Sequence, residues 1–148
     1  MYDISKTGEI KMLTANEKLM IRYFEEVWNN GKLEVLDELI APNYINHNPG
    51  LANPMPGPDG LKPIVAGIRK AFPDLRYVIE NIVVSDTKVA VHTTMYGTNT
   101  GEFFGLAPTN KTIKVSQMQI ERIENNQIVE HWRVTDELTM MRQLGQLP

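Results

Sequence analysis

The feature that most constrains this chain is a change of hydrophobic period at Leu75. Before it, apolar residues recur every three or four positions, the spacing of one helix face; after it they alternate, the spacing of one strand face. Helices first, strands second and one short helix to close imply an α+β domain with the helices gathered on one face of an antiparallel sheet.

Thr14 and Glu17 form a capping box that opens the first helix, and Met20, Tyr23, Phe24 and Val27 follow at helical spacing up to Gly31. Leu33, Leu36, Leu39 and Ile40 predict a second helix ended by Pro42, and the Asn-, Pro- and Gly-rich residues 43–57 an irregular loop. A third helix starts near Pro58 and carries Leu61, Ile64, Val65, Ile68 and Phe72, with Pro63 tolerable only near its start. Four strands follow: one from Leu75 to Val84, one from Val89 to Thr98, one over Thr112–Glu124 and one over Gln127–Thr135. Asn125-Asn126 is the two-residue turn between the last two, and Leu138, Met141 and Leu144 mark a closing helix. All 148 residues are expected to form a single domain, with 1–13 loose.

Composition removes whole classes of chemistry. Cysteine is absent, which excludes thiol nucleophiles, disulfides and thiolate metal sites. His47, His92 and His131 lie far apart without metal-ligand spacing, the glycines 97, 101 and 105 make no phosphate loop, and no serine sits in a nucleophile elbow. No metal or other cofactor is therefore expected. A net charge of -3 gives no sequence-wide reason to bind nucleic acid or an anionic membrane. No apolar run reaches a membrane span and the first residues lack a signal-peptide core, so a cytoplasmic protein is expected.

If Glu124 pairs with Gln127 across a two-residue turn, an unbroken ladder places Ile128, Trp132, Val134 and Asp136 on one face opposite Val115, Gln117, Gln119 and Ile123. His131, Arg133, Met118 and Ile120 then point the other way, and a bulge would flip part of this assignment. A face mixing apolar walls, two amides and a terminal carboxylate reads as a ligand pocket, because buried amides need partners. The expected pocket lies between the sheet and the first and third helices, lined by Trp132, Gln117, Gln119, Val134 and His92, with Trp28 or Phe24 from helix one. Asp136 has two readings: a desolvated general acid/base, or the N-cap of the closing helix. His47 is a loop residue or a site residue, Trp28 and Trp132 are core or ligand platforms, and His92 is a cavity donor or a sheet residue. Met118, Ile120 and Val129, on the opposite face, suggest a homodimer formed through the outside of the sheet.

The run Gly97-Thr98-Asn99-Thr100-Gly101 with Gly105-Leu106-Ala107-Pro108-Thr109, and the later Ile120-Glu121-Arg122-Ile123 and Glu130-His131-Trp132 ending at Asp136, are similar to motifs of the SnoaL-like polyketide cyclases. Tyr44-Ile45-Asn46-His47 resembles that family's loop histidine. The resemblance covers nearly the whole chain from Thr14. It implies the cone-shaped fold of the nuclear transport factor 2-like superfamily, a curved antiparallel sheet around the helices enclosing one deep pocket. It also implies ring closure by intramolecular aldol chemistry without metal or organic cofactor, on a hydrophobic polycarbonyl, with Asp136 as acid/base, His47 as a second catalytic residue, and Tyr44 and Asn99 as ligand-binding residues. Asn99 replaces a common histidine and Asn110 a common glycine; asparagine donates a hydrogen bond but exchanges no proton. Alternatives in the same fold are a non-catalytic small-molecule or dimerisation module and a steroid-isomerase-like proton shuttle.

Overall fold

A computed structural model describes residues 2–4, 10–52 and 54–148. Of the stretch expected to be loose, residues 1 and 5–9 lie outside the described residues, while β1 (Tyr2–Ile4) and β2 (Ile10–Met12) pair as an antiparallel ribbon. Helix α1 (Ala15–Arg22) opens on the expected box: Glu17 N donates to Thr14 Oγ1 over 3.1 Å, and Thr14 N donates to Glu17 Oε2 over 2.7 Å. The helix widens into a π-helical stretch over Tyr23–Asn29, and Tyr23, Phe24, Val27 and Trp28 are all buried along it. A 3₁₀ turn (Leu33–Val35) leads into α2 (Leu36–Leu39).

The next element corrects the expectation of a loop from residue 43. Ile40–Asn46 is a strand, β3, lying parallel to the last long strand at the edge of the sheet. Pro42 is compatible with it because an edge strand leaves part of its backbone unpaired. Helix α3 (Pro58–Ala71) begins with Pro58 in its first turn after Gly57, whose φ of 65° is a left-handed value that glycine adopts without steric cost. Leu61, Ile64 and Val65 are buried on its inner side.

The sheet order is β3-β7-β6-β5-β4, with β4 (Arg76–Val84), β5 (Lys88–Thr98), β6 (Thr112–Glu124) and β7 (Gln127–Thr135) antiparallel in sequence. The Val89, Val91, Thr93 and Met95 face of β5 is buried, as is Ile113, Val115, Gln117, Gln119, Glu121 and Ile123 of β6. These inner faces meet the aromatic side chains of helix one and α3's apolar stripe in a single core. Helix α4 (Glu137–Gln143) closes the open end. The fold class is the α+β arrangement expected, and no helix among the described residues is long and apolar enough to cross a membrane.

The loop between β5 and β6 is pinned from inside. Asn99 is 1% exposed: its Nδ2 donates to Gly101 O and its Oδ1 accepts from Thr109 N and Oγ1. Asn99 thus staples the loop, its amide bonded to backbone and to Thr109. Gly101 passes so close to the end of α3 that a β-carbon there would collide with the Lys70 carbonyl. Gly101→Ala is expected to cost about 1–3 kcal/mol, since backbone cannot yield as a side-chain tip does; chemical denaturation reads the loss, and an unchanged midpoint would refute the close approach.

Candidate functional site

One irregularity in β7 decides what the site contains. Asn125 and Asn126 take φ of 49° and 58°, and Glu124 faces Gln127 as the turn chemistry predicts. Ile123 then faces Ile128, but Arg122 faces Glu130, so Val129 is an extra residue in the ladder. Everything beyond this bulge is turned over relative to an unbroken ladder. His131, Arg133 and Thr135 stand opposite Glu121, Gln119 and Gln117 on the inner face. Trp132 and Val134 stand opposite Ile120 and Met118 on the outer face, Val134 with 75% of its surface exposed.

A cavity of about 420 Å³ lies between the end of the sheet, α3, α4 and the β5–β6 loop. Ile64 and Ile68 of α3 and Met140 and Met141 of α4 form two walls. Phe103, Phe104 and Leu106 of the loop form a third, while Tyr77 and Met95 close it from β4 and β5. Its polar lining is small: Gln117, Arg133 and Thr135 from the sheet, and Glu137 at the first turn of α4. Apolar walls with a few converging polar groups are the usual make-up of a small-molecule site.

The sheet side carries a directed row of hydrogen bonds. Thr135 Oγ1 donates to Gln117 Oε1 (3.1 Å), Gln117 Nε2 to Gln119 Oε1 (2.9 Å), and Gln119 Nε2 to Glu121 Oε1 (2.6 Å). His131 Nδ1 lies 2.6 Å from the same oxygen, and Glu121 Oε2 has no protein partner. Burial pushes the Glu121 carboxyl up from its ordinary range, against the opposing effect of His131 and Gln119. Burial likewise pushes the Tyr77 phenol up to about 12, so it stays a neutral hydroxyl in the cavity wall. The Arg133 guanidinium is fixed by Nη2 donating to Asn48 O (3.1 Å), and its backbone N donates to Asn48 Oδ1 (2.8 Å).

The residues expected from sequence divide clearly. Gln117 lines the cavity and Gln119 stands one position deeper in the same row. Phe24 and Trp28 are core residues whose rings pack on Tyr77, 5.4 Å away in both cases, from behind the cavity wall. Tyr44 is buried beside His131, and burial raises its phenol far above its ordinary range. Trp132 lies outside: the bulge places its ring against His47, stacked at 4.9 Å, with Lys88 over the ring. His47 is on that same outer side and contacts Glu130 Oε1 at 2.8 Å. His92 lies on the outer face of β5, between Asn81 and Ser116. Val129 is buried within the bulge, not displayed on the outer face.

Asp136 takes the capping reading. Its Oδ1 accepts from Thr139 N (3.1 Å), the residue is exposed, and the bonds from Thr139 hold its carboxyl below the ordinary aspartate range. It is absent from the cavity lining, where Glu137, the next residue, stands instead. Arg133, Thr135, Tyr77 and Glu137 were missed by the sequence reading. The signal for the first two was present, because adjacent buried apolar residues, Ile128 and Val129, break the alternation where the ladder slips.

The sequence profile of the family described as SnoaL-like polyketide cyclase matches residues 18–144. Aklanonic acid methyl ester cyclase DauD of Streptomyces sp. (strain C5) is 28% identical over 134 residues, covering 86% of this chain and 80% of its own. Wild-type IdmH of Streptomyces antibioticus is 31% identical with a TM-score of 0.76, covering 90% of this chain and 99% of its own. TsrD of Streptomyces laurentii superposes with a TM-score of 0.82 at 25% identity, over 92% of this chain and 100% of its own.

Proposed function

The chain belongs to the SnoaL-like polyketide cyclase family, and on that premise we propose that it closes a ring in a hydrophobic polycarbonyl compound by cofactor-independent acid–base chemistry in the 420 Å³ cavity. The observation that carries this reading is the inward-facing Arg133, a guanidinium set among apolar walls beside an amide and a hydroxyl. A methylene between two carbonyls loses a proton readily if the resulting enolate oxygen meets a fixed positive charge in a water-poor site. Glu137 is the one carboxylate among the lining residues, and takes that proton in this reading. The carbanion then attacks a second carbonyl carbon of the same molecule. The new C–C bond forms as the carbonyl becomes an alkoxide, and the alkoxide recovers the proton from Glu137. Holding the chain folded between Phe103, Ile68 and Met140 supplies the proximity that an intramolecular step needs.

The name of the matched relative gives the compound to try first. Incubation with aklanonic acid methyl ester, followed by chromatography, is expected to yield a ring-closed isomer of unchanged mass without any added cofactor. Saturable binding without conversion would replace the reading with that of a non-catalytic binding module. In the same assay Asp136→Asn is expected to retain activity within about two-fold, because asparagine caps a helix nearly as well as aspartate. A fall of about 10²-fold or more there would return the acid/base role to Asp136.

A homodimer through the outer sheet face accompanies this reading. Met118, Ile120 and Val134 are 54%, 43% and 75% exposed there, beside the half-buried Trp132, a patch that a second copy would cover. Sedimentation is expected to give twice the 16.8 kDa chain mass, and Ile120→Asp to shift it to the monomer. A wild-type monomer at micromolar concentration would contradict it.

A further inference from the structure

We propose that Phe104 decides which ligands the cavity admits: its ring, seated on Gly67 of α3, forms the apolar rim of the mouth and must lift before a thick ligand passes. The inference rests on the cavity being the ligand site, as the proposed function has it, and adds how that site is entered.

Two locally unfavourable residues meet at one contact. Phe103 and Leu106 exchange backbone hydrogen bonds of 2.9 Å in both directions, which makes Phe104-Gly105 a two-residue turn at the tip of the β5–β6 loop. Both turn residues are left-handed, with φ of 44° and 89°. Glycine takes such a value freely, whereas phenylalanine takes it against steric cost. The turn between β6 and β7 has asparagines at the same two places, Asn125 and Asn126, which tolerate that backbone. On the facing side, Gly67 lies inside α3, where glycine weakens a helix relative to alanine. A β-carbon at Gly67 would stand 3.3 Å from Phe104 Cζ and 3.4 Å from Phe104 Cε1, so the missing side chain is the seat of the ring. Strain kept beside a ligand cavity points to a function there.

Position in the fold identifies that function as control of entry. Among the residues lining the cavity, Gly50, Phe104 and Glu137 are exposed and mark its mouth. Of these three, only Phe104 brings a large apolar side chain, 52% exposed. The root of the loop is fixed: Gly101 N donates to Ala71 O (3.2 Å), and Phe103 packs edge-on against the buried Phe72, ring centroids 5.4 Å apart. Beyond that root, the Phe104 ring meets Phe103 at 5.3 Å and α3 at Gly67. Among the described residues no hydrogen bond joins 102–106 to α3. The tip therefore lifts by breaking ring contacts alone, while its root stays in place.

The test is stopped-flow binding of the methyl and tert-butyl esters of anthraquinone-2-carboxylic acid, neutral probes that differ only in the thickness of one end. Quenching of tryptophan fluorescence by the quinone gives the signal, since Trp28 packs on Tyr77 of the cavity wall with ring centroids 5.4 Å apart. Wild type is expected to take up the methyl ester about ten-fold faster than the tert-butyl ester. Phe104→Ala should bring the two association rates within about three-fold by speeding the tert-butyl ester. Gly67→Ala should act in the same direction by pushing the ring off its seat, while the thermal midpoint holds or rises because alanine favours the helix. That stability readout separates entry control from structural damage, and Gly67→Ala carries the comparison if Phe104→Ala does not fold. Equal rates for the two esters in wild type, a difference that survives both variants, or binding of neither ester would overturn the proposal. Rates that respond to Phe104 as expected, without ring closure, would overturn only the catalytic reading. Ring closure with rates indifferent to Phe104 would overturn only the control of entry.

Discussion

If the chain closes a ring as proposed, Arg133→Gln is expected to lower kcat/KM for that step by about 10²–10³-fold in a chain that remains folded, the loss that follows when a donor to a developing oxyanion is removed. The guanidinium is held by its bond to Asn48 O, and the Arg133 backbone by Asn48 Oδ1 and the β6–β7 ladder. Arg133→Lys is expected to recover part of this, since a point charge remains while bidentate geometry does not. Steady-state kinetics of the two variants beside wild type check the order; activity equal to wild type in Arg133→Gln would remove Arg133 from the chemistry.

The largest effect on stability is expected at Glu121. The residue is 1% exposed and its Oε1 accepts from Gln119 while contacting His131, which is 4% exposed. Removing one member of such a buried pair strands the other, and Glu121→Ala is expected to cost about 3–5 kcal/mol by urea denaturation. Glu121→Gln keeps an acceptor for Gln119 and should cost clearly less. The pH dependence has a definite sign. Burial raises the Glu121 carboxyl above its unfolded value, so its contribution is fully present below the ordinary glutamate range and is lost as pH rises through the raised folded value. Glu121→Gln should flatten that part of the stability–pH curve. A stability difference between wild type and Glu121→Gln that does not shrink over the same rise would contradict the raised carboxyl.

How far the molecule was legible from its residues depended on the length of the interactions involved. The capping box at Thr14 and Glu17, the Asn125-Asn126 turn, and the full extents of β6 and β7 are local matters, and each appears where periodicity and turn chemistry place it. Strand β3 was missed because Asn43 and Pro42 read as loop, and its identity as a strand comes only from pairing with β7, over eighty positions away in sequence. The site was half legible. Gln117 and Gln119 were placed on the inner face correctly because β6 runs without interruption. Trp132 and Arg133 exchanged faces because one extra residue, Val129, shifts the ladder two positions after the turn, and strand register has no tolerance for a single-residue slip. The resemblance to a family led to Asp136, a residue whose backbone position at the head of α4 gives it a helix to cap. Asn99, which the same resemblance places near the ligand, bonds the loop that carries Phe103 and Phe104.

The most direct test of the account is a crystal structure of the chain with a bound polycarbonyl ligand. The expected result is a ligand enclosed by Ile68, Phe103 and Met140, with an oxygen within hydrogen-bond distance of the Arg133 guanidinium and Asp136 still bonded to Thr139. A ligand seated instead on the outer face against Trp132 and His47, or one bound in the cavity with Arg133 turned away and Asp136 in contact with it, would contradict the assignment of the site.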